Sequence, residues 1–462
     1  MELVYKPSDR PPFAKMVVFA VQQLLAILAA TIAVPAIIGN GMSQSAALFG
    51  AGVGTLVYQL FTRFKSPVFL GSSFAFLGSM GASFAGAASI SAGFTGLIIG
   101  AIFAGLVYVI IALVVKKFGV AWIDKIMPAV VIGPTVAIIG LSLAGNAVGD
   151  LFKGGVLNAA GAPIASHWLA LLCGLITLFT IIVCSVFGKK MMKMIPFIIG
   201  ILVGYAVAAI FTAIGHIADV ETMKIINFAM FKDMQWYPDF TFIEAIKGVK
   251  DIDGAFIGTI AVAYIPVAFV VFAEHIADHK NLSSIINHDL TKDPGLANTL
   301  LGDGVGSMAG AFFGGCPNTT YGESVGCVAI SGCASVPTIT LTAFMAILFA
   351  FIAPLTTFLA TIPSCVMGGV CMTLYGFIAV SGLKMVQKVD LGDNRNLFVV
   401  SAILIAGVGG LSVSFGKITL TTTACALILG ILANLVCSIG KEKKEVPAGN
   451  EEESVSAEVV EE

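Results

Sequence analysis

The sequence predicts an all-α polytopic membrane protein with fourteen transmembrane segments in two inverted seven-segment repeats. It also predicts short antiparallel β-strands in segments 3 and 10. Three observations lead there. The apolar fraction is 58% and the charged fraction 11%, against about 25% charged in an ordinary soluble domain. The apolar residues fall into runs of membrane-spanning length, and 51 glycines supply small surfaces for close helix contact. Two of these runs are interrupted by Gly, Ser, Thr and Pro at matching places in the two halves.

A span needs about 20 mostly apolar residues. Fourteen runs qualify, at roughly 14–39, 44–62, 67–82, 87–115, 126–147, 166–187, 194–215, 254–278, 295–313, 316–331, 335–361, 364–383, 396–414 and 418–438. The first run is too long for a cleaved signal peptide and leads straight into further spans. The runs at 67–82 and 316–331 are short for full helices. The nine cysteines are mostly dispersed through apolar segments without a C-x-x-C pair or a His at ligand spacing. They read as buried free thiols rather than metal ligands or disulfides, and no cofactor or nucleotide motif stands beside them.

With residues 1–13 placed in the cytoplasm and fourteen crossings, the outer side holds Lys153, Lys224, Lys232, Lys247, Lys250 and Lys417, and the other lysines and arginines fall inside. This is the positive-inside pattern, and it places both termini in the cytoplasm of a multi-pass cell-membrane protein. The tail 441–462 carries eight glutamates and no apolar run, the composition of a solvated, disordered segment.

A faint internal repeat is visible. Pro128 and Gly133 in the fifth span match Pro363 and Gly368 in the twelfth. The interrupted third and tenth spans are also seven apart. Seven is odd, so the copies lie inverted, and paired interrupted segments in inverted halves mark a transporter's binding site.

Glu274 and Glu323 lie inside these apolar stretches. A carboxylate at membrane depth is costly and normally faces a protein-lined cavity where it has a task. Around Phe74 the run SPVFLGSSFAF alternates small polar and aromatic residues, and NTTYGES around Tyr321 does the same. Such segments read either as short strands that pair and offer N–H groups to a ligand, or as simple packed kinks. Half-helices following the strands would point positive N-terminal dipoles at the same spot. Asp278 is four residues beyond Glu274 on the same helix face. His275 and His279 flank the pair, and Asp278 with His279 also fits the cytoplasmic end of the span, next to Lys280.

AEH (273–275), DPGL (293–296), LLGDGVGS (300–307) and PNTTYGES (317–324) resemble the nucleobase/ascorbate transporter family, in its uracil permease branch. QQLLAILAAT (22–31), LGSSFAFLG (70–78) and VMGG with LYG (366–376) fit the same branch, and the resemblance runs collinearly from about 10 to 440. It implies a core domain from 14–120 and 251–362 (segments 1–4 and 8–11). A gate domain would be formed by 121–250, which includes an outer loop, and by 363–440 (segments 5–7 and 12–14).

The resemblance makes Glu274 and Glu323 the substrate-binding carboxylates. The backbone at Phe74 and Gly322 would donate to pyrimidine carbonyls, and Ala30, Tyr321 and Tyr375 would close the pocket. The chain departs from the family at Asp278, where leading members carry histidine, at Ser324, Val325 and Gly326 after the second glutamate, and at Ser331 and Gly332. It departs again at Gln22 and Gln23 in place of a Gln-His pair. Asp278, His279 and Glu274 are therefore the candidates for proton coupling.

The expected activity is proton-coupled import of uracil by alternating access, with uracil, protons and membrane lipids as partners and no nucleic acid. The family implies a homodimer. The rival readings are a xanthine or purine permease on the same fold and an anion channel or exchanger of similar architecture. No nucleophile–base pair points to an enzyme.

Overall fold

In lipid, an apolar run can satisfy its own backbone only as a helix, and irregular backbone survives only where protein covers it. The computed structural model follows that rule. It describes residues 3–119, 122, 128–158, 161–189, 192, 193, 195–232, 234–415 and 418–439. Lys417 and the acidic tail from Lys441 lie outside the described residues.

The first half runs α1 (Phe13–Ile38), α2 (Gln44–Phe61), β1 (Leu70–Ser72), α3 (Leu77–Ala85), α4 (Ile90–Phe118), α5 (Ala129–Ser142), α6 (Ala144–Asp150), α7 (His167–Phe187), α8 (Pro196–Ile217) and α9 (Thr241–Gly248). The second runs α10 (Gly254–Ile286), α11 (Leu296–Gly314), β2 (Asn318–Thr320), α12 (Gly322–Ser331), α13 (Val336–Phe349), α14 (Ala353–Ala360), α15 (Ser364–Val386), α16 (Asn394–Val408), β3 (Val413–Phe415), β4 (Ile418–Leu420) and α17 (Thr422–Ser438). Among the described residues seven helices are long and apolar enough to cross a membrane: α1, α4, α5 with α6, α7, α8, α10 and α15. The chain is therefore a mostly helical, multi-pass membrane protein.

Polar caps set several starts. Ser43 accepts from the Ala46 N–H, Ser89 from Ala92 and Asp253 from Phe256, satisfying donors that no helical carbonyl reaches. Pro128 and Pro363, paired in the sequence, both stand at the N-cap of a helix in extended backbone, before α5 and α15.

Three elements differ from expectation. The eighth span does not stop near Asp278. It continues to Ile286, because His275, His279, Leu282 and Ile286 keep one stripe buried for two more turns. Asp278 and His279 are thus inside the helix rather than at its end. The eleventh span breaks between α13 and α14, which bend by 83°; Pro354 in the first turn of α14 has no N–H to continue the ladder. Finally, residues read as the end of one span and the start of the next form the antiparallel pair β3–β4, where Val413, Ile418 and Thr419 favour extended backbone.

Glycine sets the closest approaches. A Cβ added at Gly54 would lie 2.7 Å from the Gly306 carbonyl oxygen, and one at Gly105 would lie 2.7 Å from that of Gly304. α11 is therefore clasped between α2 and α4, backbone against backbone. α15 packs in the same manner on α5, where a Cβ at Gly382 would lie 2.5 Å from the Gly133 oxygen. Outward, α7 and α8 present large apolar side chains such as Phe179, Phe187 and Ile210, as a lipid-facing surface requires.

Away from the spans, Lys65 donates to Asp293 at 2.7 Å. That ammonium holds the exposed carboxyl below the usual carboxylate range.

Candidate functional site

β1 and β2 meet antiparallel, with Leu70 opposite Thr320, Gly71 opposite Thr319 and Ser72 opposite Asn318. The third and tenth segments are thus joined by a strand pair, one of the two readings their composition allowed, and not by packed kinks. Three side chains hold the pair in place. Asn318 donates to the Gly50 carbonyl at 3.1 Å, beside the α2–α11 clasp, and Tyr321 Oη donates to Ser72 O at 2.9 Å. Thr320 Oγ1 donates to Asp278 Oδ2 at 2.6 Å, which ties the strands to α10.

α12 begins at the end of β2. Tyr321 is its N-cap and makes no side-chain capping bond, so the first-turn N–H groups lack a partner within the helix. A cavity of about 390 Å³ opens at this point. Glu274 and Asp278 from α10, Glu323 and the exposed Gly322 from α12, and Phe74 and Tyr321 beside the strands all line it. Ala26, Val136, Phe197 and Leu374 supply apolar wall, and the cavity extends to Lys193 and Met385 near the ends of α8 and α15. Three carboxyl groups and the positive end of a half-helix therefore share one cavity, an arrangement suited to a ligand that both donates and accepts hydrogen bonds.

Six of the residues singled out in the sequence come together here: Glu274, Asp278, Glu323, Phe74, Tyr321 and Gly322. Tyr375 is not among the lining residues. It stands behind Phe74, ring edge against face at 5.7 Å. Ala30 is buried in α1, one turn beyond Ala26, which does reach the cavity. His279 is fully buried and bonds to Tyr58 Oη at 2.7 Å and to the His275 carbonyl at 2.7 Å. Its ring thus faces α2 and not the carboxylates.

The Xan_ur_permease model, described as a permease family, matches residues 14–415. The chain is 38% identical over 432 residues to the uracil permease of Bacillus caldolyticus, covering 93% of both chains. It is 37% identical over 444 residues to that of Bacillus subtilis (strain 168), with 94% and 95% covered. The chain belongs to this permease family. The uracil permease branch identified from the motifs agrees with these relatives. The permease's fold is shared with the transmembrane domain of the cyanobacterial bicarbonate transporter BicA (TM-score 0.61, 15% identity, 94% of this chain and 100% of that one). It is also shared with the murine anion transporter Slc26a9 in its inward-facing state (TM-score 0.65, 12% identity, 94% and 69%).

Two polar contacts beside the permease's cavity were not read from the sequence. Gln23 of α1 donates to the Ser324 hydroxyl, so two departures from the family pattern touch each other directly behind Glu323. Next to Glu274, His275 Nδ1 lies 2.6 Å from Asp303 Oδ2, and Nε2 lies 3.1 Å from Thr299 Oγ1, with both ring and carboxyl buried. Thr299 Oγ1 also donates to the Leu296 carbonyl at 3.0 Å. The signal for Asp303 was present, since a lone carboxylate in the Gly-rich ninth run meets the criterion that singled out Glu274.

Proposed function

We propose that the permease is a proton-coupled symporter importing uracil across the cell membrane by alternating access. The observation that carries this is Glu274 and Glu323 facing one cavity together with the open N-terminus of α12 at Gly322. Uracil offers two N–H donors and two carbonyl acceptors. The carboxylates meet the donors, and backbone N–H groups at Gly322 and Phe74 meet the acceptors. The names of the bacterial relatives favour the same substrate. In the bound pose Tyr321 closes one edge of the ring, with Ala30 and Tyr375 supporting the wall.

Alternating access calls for two bodies that move against each other. The core comprises residues 14–120 and 251–362, where α2, α4, α10 and α11 interlock around the strand pair. The gate comprises 121–250 and 363–440, where α15 packs on α5 and α7. They are the two kinds of unit in fourteen spans arranged as inverted repeats, with both termini cytoplasmic and two copies forming a homodimer. The cation distribution makes the Lys193 end of the cavity cytoplasmic, so this conformation opens inward. The proton rides on Glu274 or Asp278. Its entry with uracil neutralises the pocket and permits the core to move.

A xanthine permease would need the same cavity to take a second fused ring. An anion exchanger would have to bring its substrate against three carboxyl groups, and likeness at 10–15% identity speaks to fold alone. Uptake of labelled uracil into cells, with and without a protonophore, decides among them. Accumulation that collapses with the protonophore and is competed by thymine rather than xanthine is the expected result. Competition by xanthine, or uptake indifferent to external pH, would overturn the assignment.

A further inference from the structure

The segment before α1 is attached to the far end of the half-helix that bears Glu323. α12 ends at Gly332, in the left-handed region at φ 70°. The Gly332 carbonyl accepts from Val4 N–H at 2.8 Å and Tyr5 N–H at 3.1 Å. Ala334 N–H then donates to Tyr5 O at 2.9 Å, Val336 N–H donates to Pro7 O at 3.0 Å, and Ser335 Oγ donates to Asp9 O at 2.7 Å. The Asp9 carboxylate in turn accepts from Lys6 N–H at 2.8 Å, closing the turn between them. The loop beneath is buried, with Ala334 and Ser335 inaccessible. Leu3 packs into a cluster that joins Val325 and Val328 of α12 to Leu282 and Ile286 of α10.

We infer that residues 3–9 are a strap that positions the substrate carboxylates relative to each other. α12 has ten residues, too few to hold a direction by itself. Its orientation is set at its two ends, by Gln23 on Ser324 near the cavity and by the strap at Gly332. Because Leu3 packs against the cluster that α12 and the α10 stripe below Asp278 form together, the strap joins the helices carrying Glu323 and Glu274. Freed from it, α12 can tilt, and Glu323 moves with respect to Glu274. Groups that must meet a rigid planar ligand from two sides lose affinity steeply when displaced by about 1 Å.

The inference rests on the uracil reading for its ligand, but one readout is independent of it. In purified full-length protein and a variant lacking residues 2–9, uracil affinity is measured by titration calorimetry, alongside amide exchange of the 322–334 region and the melting temperature. Deletion should weaken uracil binding about tenfold, raise the half-saturating concentration for uptake in parallel, and leave maximal uptake per inserted transporter within about twofold. Exchange in 322–334 should quicken while α11 stays protected. Should the deletion impair insertion, Asp9→Ala opens the strap's turn alone and should weaken binding two- to fivefold. Asp9→Asn, which keeps an acceptor for Lys6, should restore it. Wild-type protein that fails to bind uracil defeats the substrate assignment, and amide exchange then decides the strap. Unchanged exchange in 322–334 after deletion, or unchanged affinity in a wild type that does bind uracil, overturns the strap. A loss of affinity matched only by a fallen melting temperature overturns it as well.

Discussion

Glu274 and Asp278 sit one turn apart on α10, yet the structure treats them differently. Asp278 accepts from Thr320 at 2.6 Å, whereas Glu274 faces the cavity with no hydrogen bond from a neighbouring side chain described. Of the two, Glu274 is the one free to meet a ligand donor. Glu274→Gln should therefore retain fold and insertion but lose a charge-assisted bond of roughly 1.5–3 kcal/mol, at least a tenfold fall in uracil affinity. Calorimetry on the purified variant checks it, and wild-type affinity would remove Glu274 from the binding set. Tyr375 packs edge-to-face on Phe74, and in the proposed site it would act through that ring. Tyr375→Ala should weaken uracil binding by roughly 1–3 kcal/mol and admit bulkier C5-substituted uracils, seen as a changed competition profile. That Glu274, Asp278 and Glu323 line a cavity was legible, because a charge inside an apolar run is too costly to be left facing lipid. The pairings were not. Gln23 meets Ser324 across 301 positions, and His275 meets Asp303 across 28; no local pattern encodes which polar groups a fold will bring together.

Elements were legible where one period dominated and illegible where two competed. Long apolar helices such as α1 and α4 announce themselves, and the strands β1 and β2 were one of two readings of the alternating small polar and aromatic residues that break such runs. The extension of α10 to Ile286 was hidden because polar residues share its last turns with a buried stripe. Backbone contact between helices was legible only as a glycine count. The structure locates it at Gly54 and Gly306, whose clasp also seats Asn318 and hence β2. Gly306→Ala must push α2 away from α11, at an overpacking cost of roughly 1–3 kcal/mol, and should lower both the melting temperature and uracil affinity. Gly78→Ala, where an added Cβ meets nothing within 4 Å, should leave both unchanged. Equal melting of the two variants in a thermal-shift series would show that the clasp does not support the site.

At the scale of the whole molecule, the proposed proton-coupled cycle needs one group to carry the proton while one helical body moves on another. Asp278 is placed for it. It lines the cavity, stands one turn from Glu274, and holds β2 through Thr320, so its charge state bears on both ligand and strand. In the proposed cycle, protonating Asp278 would lessen its repulsion of Glu274 and Glu323 and admit uracil, and ionising it would draw the Thr320 hydroxyl and fix the strands. Coupling of this kind would make import faster on the acid side, because each turnover would take up a proton from outside. Asp278→Asn keeps a carbonyl acceptor for Thr320 but cannot exchange a proton. It should bind uracil and catalyse exchange of internal for external uracil, yet show a flat pH profile and no accumulation against a gradient. His279 supplies the control. Five residues past Glu274 it points roughly 140° away around the helix, and its ring is committed to Tyr58 and the His275 carbonyl. His279→Gln should leave accumulation intact. If His279→Gln abolishes accumulation while Asp278→Asn does not, protons travel along the α2 side of α10, through the buried imidazoles, and not through the cavity.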